Sequence, residues 1–263
     1  MRILNRFLMV VMLAALAACG CGGHRGGPAV MVGQGSGPQF GDSAPHAWVG
    51  GHPYDHPVHG IDISRYQGDI NWDRVRSSGV SFAFIKATEG GDYADPNFRR
   101  YWNEAARARI PRGAYHYFYF CRSGAQQAAW FIANVPRERG ALPPVIDLEW
   151  TVSKTCPRRP PSWEVLREAK IFKDILHRYY GQRPIIYTTV DFYRDNDMRN
   201  WPEEFWLRSV AGHPRHVYPG QRWTFWQYTG TGSVPGIRGN VDLNAFAGSA
   251  NDWRAWLNRR LVR

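Results

Sequence analysis

At 263 residues, with 44% hydrophobic and 14% aromatic side chains, the chain can bury a sizeable core, which excludes a disordered protein and suits one large α/β domain or two small ones. A formal net charge of +11 suits an anionic polymer as partner. The basic residues are scattered and form no zinc-finger or ribonucleoprotein motif, so nucleic acid is not expected.

Residues 1–18 read as an export signal. Arg2 and Arg6 give a positive start, and the apolar run 7–18 is too short to span a bilayer comfortably. The run ends in Leu16-Ala17-Ala18-Cys19, which resembles the lipobox of bacterial lipoproteins. That resemblance implies a mature chain beginning at a lipid-modified Cys19, a charge of about +9 once Arg2 and Arg6 are gone, and an exported protein anchored in the cell envelope. Gly20 after the cysteine resembles lipoproteins sent on to an outer membrane where the host has one. The alternative is an ordinary cleavage site with a cysteine nearby by chance.

Residues 19–57 are rich in Gly, Pro and His and poor in aliphatics, so they are expected to form a flexible tether, with the folded domain spanning 58–263. From there, apolar runs at 59–63, 82–87, 113–118 and 144–148 read as strands separated by helical patterns. One helix is expected to start with Asp95 as cap and Pro96 in its first position. A longer one follows Ser162, with Val165, Ala169, Phe172, Leu176 and Tyr179 on one stripe and Gly181 closing it. Further strands are expected at 184–188, 205–209, 223–228 and 241–243. Strands alternating with helices predict a parallel sheet, and about eight strands in some 200 residues predict a compact single-domain β/α barrel.

Such a barrel places its site at the C-terminal ends of its strands, and five acids are expected there: Asp62, Glu89, Asp147, Glu149 and Asp242. Asp147 and Glu149 are two apart, so a strand turns both to one side with Cα atoms roughly 6.5–7 Å apart. Ionising one disfavours ionising the other, so one can act as acid while its neighbour stays charged. Glycosidic cleavage requires that division, because the leaving oxygen is protonated while an oxocarbenium-like centre is stabilised. Alone, an Asp-x-Glu tripeptide is weak evidence. Cys121 and Cys156 are an even pair that an oxidising compartment would allow to bond; two free thiols are the alternative.

The context is more specific. His59-Gly60-Ile61-Asp62-Ile63-Ser64, Ile85-Lys86-Ala87-Thr88-Glu89-Gly90, Gly113-Ala114-Tyr115-His116-Tyr117-Phe118 and Pro144-Val145-Ile146-Asp147-Leu148-Glu149 follow one another in order, as do Arg183-Pro184-Ile185-Ile186-Tyr187-Thr188, Trp226-Gln227-Tyr228 and Val241-Asp242-Leu243-Asn244. With these blocks the chain resembles, over about residues 58–250, the lysozymes of glycoside hydrolase family 25. The resemblance implies an irregular, TIM-like β/α barrel with an acidic groove. Glu149 would be the general acid, Asp147 would orient or stabilise the substrate's 2-acetamido group, and Asp62 and Asp242 would complete the floor. It also implies no cofactor and no metal, and sugar contacts from Lys86, Tyr93, Tyr117, Tyr187 and Trp206, for each of which a barrel-packing role is the alternative. The segment Phe205-Trp206-Leu207-Arg208-Ser209-Val210 departs from the family pattern, which usually has a small residue and an aromatic after the tryptophan, so Arg208 and Val210 bear on the groove's shape. The expected activity is cleavage of peptidoglycan glycan strands between N-acetylmuramic acid and N-acetylglucosamine. A catalytically silent peptidoglycan-binding lipoprotein, or an enzyme acting on another amino-sugar polymer such as chitin, are the other readings.

Overall fold

The computed structural model describes residues 38–151 and 153–263. The expected signal, Cys19 and the first part of the tether lie outside them.

Eight strands close a barrel. β1 (His59–Ile63), β2 (Val80–Glu89), β3 (Arg112–Tyr117), β4 (Val145–Leu148), β5 (Ile185–Thr188), β6 (Phe205–Arg208) and β7 (Phe225–Ser233) run parallel in chain order. β8 (Val241–Phe246) closes the ring and is antiparallel to both β7 and β1. Side chains alternate between two apolar environments: Ala83, Ile85, Ile146, Leu148, Ile186 and Leu207 pack outward, while Phe82, Phe84, Val145, Ile185, Trp206 and Phe225 fill the interior. Burial on both faces makes such strands read as continuous apolar runs, which is why they stand out in the sequence.

The interior changes character along the barrel axis. Its lower part is aromatic and is plugged by a C-terminal helix (Ala250–Arg260), whose Trp253 and Trp256 stack on each other at 5.3 Å and pack edge-on against Phe225 and Phe246. Gly60 is required there, because a Cβ at that position would lie 2.4 Å from the Phe82 ring. The upper part carries Asp62, Asp147, Gln227 and Asn244, all buried. Polar groups in that setting need partners or a ligand.

Two helices differ from their sequence-based expectation. The helix expected to begin at Pro96 spans Phe98–Arg107 with Asn97 in the cap position. Asp95 instead turns its carboxylate to the backbone N–H groups of Asn97 (2.9 Å) and Arg65 (2.8 Å), tying two rim loops together. In the helix Ser162–Tyr180 the apolar stripe ends on Tyr180 rather than Tyr179. Tyr180 packs edge-on to Phe131, and its hydroxyl donates to the Val135 carbonyl, while Tyr179 faces out.

Residues 38–57, expected to belong to the tether ahead of a domain starting at Val58, are seated on the barrel. The β6–β7 connection holds only the one-turn helix Pro214–Val217, and β7 joins β8 by a hairpin, so the outer faces of β7 and β8 have no long helix from these connections to cover them. Gly41–Asp42 pairs with Gly232 and Ser233, Val49 bridges to Gly212, and Trp48 packs edge-on to Trp226 (5.6 Å) and Tyr228 (6.0 Å). The cover is made by aromatic and imidazole rings, so an aliphatic count passes over it. Cys121 and Cys156 are bonded, with Cα atoms 5.7 Å apart, and tie the segment after β3 to the connection after β4. Closing a loop of that 35-residue separation stabilises the fold by about 3–4 kcal/mol in a chain-entropy account.

Candidate active site

Four of the five expected acids meet in one pocket of about 210 Å³ at the rim where the parallel strands end. Asp62 is on β1, Asp147 is on β4, and Glu149 is the first residue past β4. Asp242 was expected at a strand's C-terminal end but is the second residue of β8. It reaches the same rim because β8 runs the opposite way and pairs Asp242 with Asp62. Glu89 lies elsewhere: it accepts from Lys86 at 2.6 Å and from the Tyr119 hydroxyl, and does not line the pocket.

The carboxyl groups differ in how they are held. Asp62 Oδ2 accepts from the amides of Asn244 (2.8 Å) and Gln227 (2.9 Å). These amides accept in turn from Trp206 Nε1 (2.7 Å) and the Tyr187 hydroxyl (2.9 Å), which fixes their orientation. Burial pushes Asp62 up to about 6 against the two amide donors. Burial, with the nearby Asp62 charge, pushes Asp242 up to about 8. Glu149 is pushed up to about 7 by burial, offset by the Arg208 guanidinium. Asp147 is also raised, well above the usual carboxylate range, by burial and then by Glu149. Its Oδ1 is buried without a hydrogen-bond partner among the described residues.

Both carboxyl groups thus hold their protons above the usual carboxylate range. Asp147 is almost fully buried and short of donors, while Glu149 stands at the mouth near Arg208 and Lys86. A hydrogen-bond donor brought to Asp147 Oδ1 favours its charged form, and that charge favours the protonated, acid form of Glu149.

Of the residues expected to touch sugar, Tyr187 and Trp206 line the pocket. Both are also anchored in the core, Trp206 by stacking on Phe84 at 4.7 Å. Lys86, Tyr93 and Tyr117 do not line it. Lys86 is held by Glu89 and lies 4.8 Å over the Tyr117 ring, and Tyr117 is in register with Asp147 beside the pocket. Tyr93 sits in the rim loop after β2, with the Arg65 guanidinium 5.6 Å over its ring. Sequence reasoning missed Tyr115 and Gln227 as lining residues, and it marked Arg208 only as a departure bearing on the groove's shape. Strand alternation carried the signal for two of them, since Tyr115 is two before Tyr117 and Arg208 two after Trp206. A larger cleft of about 710 Å³ beside Trp72 has two of its three acids engaged, Glu104 by the Trp72 indole and Arg107, and Asp69 by Arg100. Among the described residues, carboxyl groups raised above their usual range are those of the smaller pocket, and they equip it to deliver and recover a proton near neutral pH.

The comparisons with known proteins agree with this geometry. The family model "Glycosyl hydrolases family 25" matches residues 61–237. The chain is 37% identical to lysozyme M1 of Streptomyces globisporus, over 73% of this chain and 69% of that protein. It is 31% identical to the N,O-diacetylmuramidase of a Chalaropsis species, over 70% of this chain and 96% of that one. A solved family 25 glycosyl hydrolase from Bacillus anthracis superposes with a TM-score of 0.71 at 34% identity, covering 82% of this chain and 98% of that structure.

Proposed function

The chain belongs to glycoside hydrolase family 25, and from that premise we propose that Asp147 and Glu149 carry out its muramidase reaction on peptidoglycan. The protein is a glycoside hydrolase of the lysozyme type, cleaving the β-1,4 bond from N-acetylmuramic acid to N-acetylglucosamine. The observation that carries the assignment of roles is the buried, partnerless Asp147 Oδ1 beside a protonatable Glu149. A 2-acetamido N–H supplies the missing donor, and the sugar is then held with its glycosidic oxygen toward Glu149.

In this reading Glu149 gives its proton to the leaving oxygen as the C1–O bond breaks. The acetamido oxygen, steered by Asp147, bonds to C1 in place of the leaving group. Water then attacks C1 as the bond from C1 to the acetamido oxygen breaks and the acetamide re-forms, and it gives a proton to the Glu149 carboxylate, which returns the acid to its starting state. Asp62 and Asp242 shape the pocket's charge from the β1–β8 side. Incubating the purified domain with peptidoglycan should give new reducing ends on N-acetylmuramic acid, with the β-anomer formed first by proton NMR. An α-anomer would replace the acetamido step with direct water attack. Reducing ends on N-acetylglucosamine alone, or none, would sink the muramidase assignment.

We also propose that the protein acts from the cell envelope, lipid-anchored at Cys19. The support is the positive start, the short apolar run and the lipobox-like Leu16-Ala17-Ala18-Cys19. Mass spectrometry of the native protein should find a diacylated Cys19 at the N-terminus. An unmodified terminus downstream of Cys21 would rule the anchor out.

A further inference from the structure

Arg208 is the one cation among the residues that line the carboxyl pocket. Its backbone is pinned: the Tyr218 hydroxyl donates to its carbonyl at 2.6 Å, and the next carbonyl, that of Ser209, accepts from Trp226 Nε1 at 2.7 Å. Its side chain is exposed and makes neither a hydrogen bond nor an ion pair among the described residues, although four carboxyl groups share the pocket. Arg158, by contrast, is engaged by Glu164. Five N–H donors on a fixed base, facing a site for a sugar polymer, are left for something outside the chain.

The register places that something. Tyr187 pairs with Asp147 on one side and Trp206 on the other, so the three share one level of the barrel wall. Glu149 and Arg208 each lie two residues further up, on strands two apart, which puts their Cα atoms about 10 Å from each other along the mouth. A sugar ring whose C1 is served by Glu149 therefore turns another of its edges toward the guanidinium. Neutral hydroxyl and acetamide groups do not require a cation in a pocket otherwise acidic. A carboxylate does, both because the acids would repel it and because a guanidinium pairs with it through two parallel hydrogen bonds.

Resting on the muramidase reading, we propose that Arg208 is a specificity-determining residue that binds the free lactyl carboxylate of the muramoyl unit, so that the enzyme prefers glycan strands stripped of their stem peptides. Where the peptide is attached, that carboxylate is an amide and the pairing is lost. The other carboxylates of peptidoglycan, at the ends of stem peptides, lie farther from the reacting carbon.

The test uses the wild-type protein, Arg208→Ala and Arg208→Lys on three substrates: peptide-free strands, the same strands methyl-esterified at the lactyl group, and intact strands bearing stem peptides. Wild type should show the lowest KM on peptide-free strands. Arg208→Ala should raise that KM by about 10- to 100-fold and the KM for esterified strands far less, while any change in kcat from losing the charge beside Glu149 should be common to all three substrates. Arg208→Lys, which keeps the charge and loses the fork, should fall between. An equal effect on KM for all three substrates would overturn the proposal and assign Arg208 to tuning the acids alone. An effect confined to stem-bearing strands would overturn it in favour of a peptide carboxylate. Failure of the wild type to cleave any strand would instead remove the muramidase reading on which the proposal stands.

Discussion

Glu149→Gln should lower kcat on peptidoglycan by about 10²- to 10⁴-fold with KM nearly unchanged, because the amide keeps the size of the side chain and has no proton to give. The same change tests whether the loss is chemical or structural. Burial lifts Glu149 from its ordinary value of 4.5 to about 7, so in the folded protein it resists ionising. As pH rises above 4.5 the unfolded chain releases this proton and the folded chain does not, so the group costs stability increasingly up to about pH 7 and at a constant level above it. Replacing it by glutamine removes that cost, roughly 1–3 kcal/mol. The variant should therefore melt no lower than wild type at pH 8 while having lost turnover. Near-wild-type cleavage by this protein would overturn Glu149 as the acid; a large drop in melting temperature would show that its carboxylate has a structural role instead.

Much of this site is legible in the sequence because a barrel strand is buried on both faces. The runs ending at Asp62 and Asp147 are apolar for packing reasons, and the acid that follows each run marks the rim. What was not legible depends on direction and depth. The Val241-Asp242 step looks the same whether β8 runs up or down, and only closure between β7 and β1 shows that Asp242 reaches the rim from the start of its strand. Glu89 has the same local signature as Asp62, yet Lys86 and Tyr119 engage it outside the pocket, a pairing across elements that strand-end position does not encode. The packing of residues 38–57 was hidden for another reason: Trp48, Tyr54 and the histidines around them cover β7 and β8 with rings, in a stretch whose glycine content reads as a tether. Nor could the raised proton affinities of Asp147 and Glu149 be read from a two-residue spacing, since the rise comes first from burial.

The burial of Asp147 beside Glu149 makes the second large prediction specific. Asp147→Asn should reduce kcat by about 10²- to 10³-fold, since an asparagine cannot stabilise the positive charge that develops on the reacting sugar and its acetamido group. Its effect on the pH profile should differ between the free and the substrate-bound enzyme. In the free enzyme burial raises both carboxyl groups, and Glu149 titrates at about 7. The basic limb of kcat/KM, which reports the free enzyme, should lie near pH 7 in the wild type. In the complex, the acetamido N–H donates to Asp147 Oδ1 and favours its ionised form, and that new charge beside Glu149 raises the acid's proton affinity. The wild-type kcat limb should thus lie above pH 7, and Asp147→Asn should bring it back toward pH 7 by removing the charge that substrate binding creates. Comparison of kcat and kcat/KM profiles for the two proteins on one peptidoglycan preparation measures both limbs. Coincident kcat and kcat/KM limbs in the wild type would mean that substrate does not ionise Asp147, and the partnerless oxygen would then need another ligand than the acetamido group.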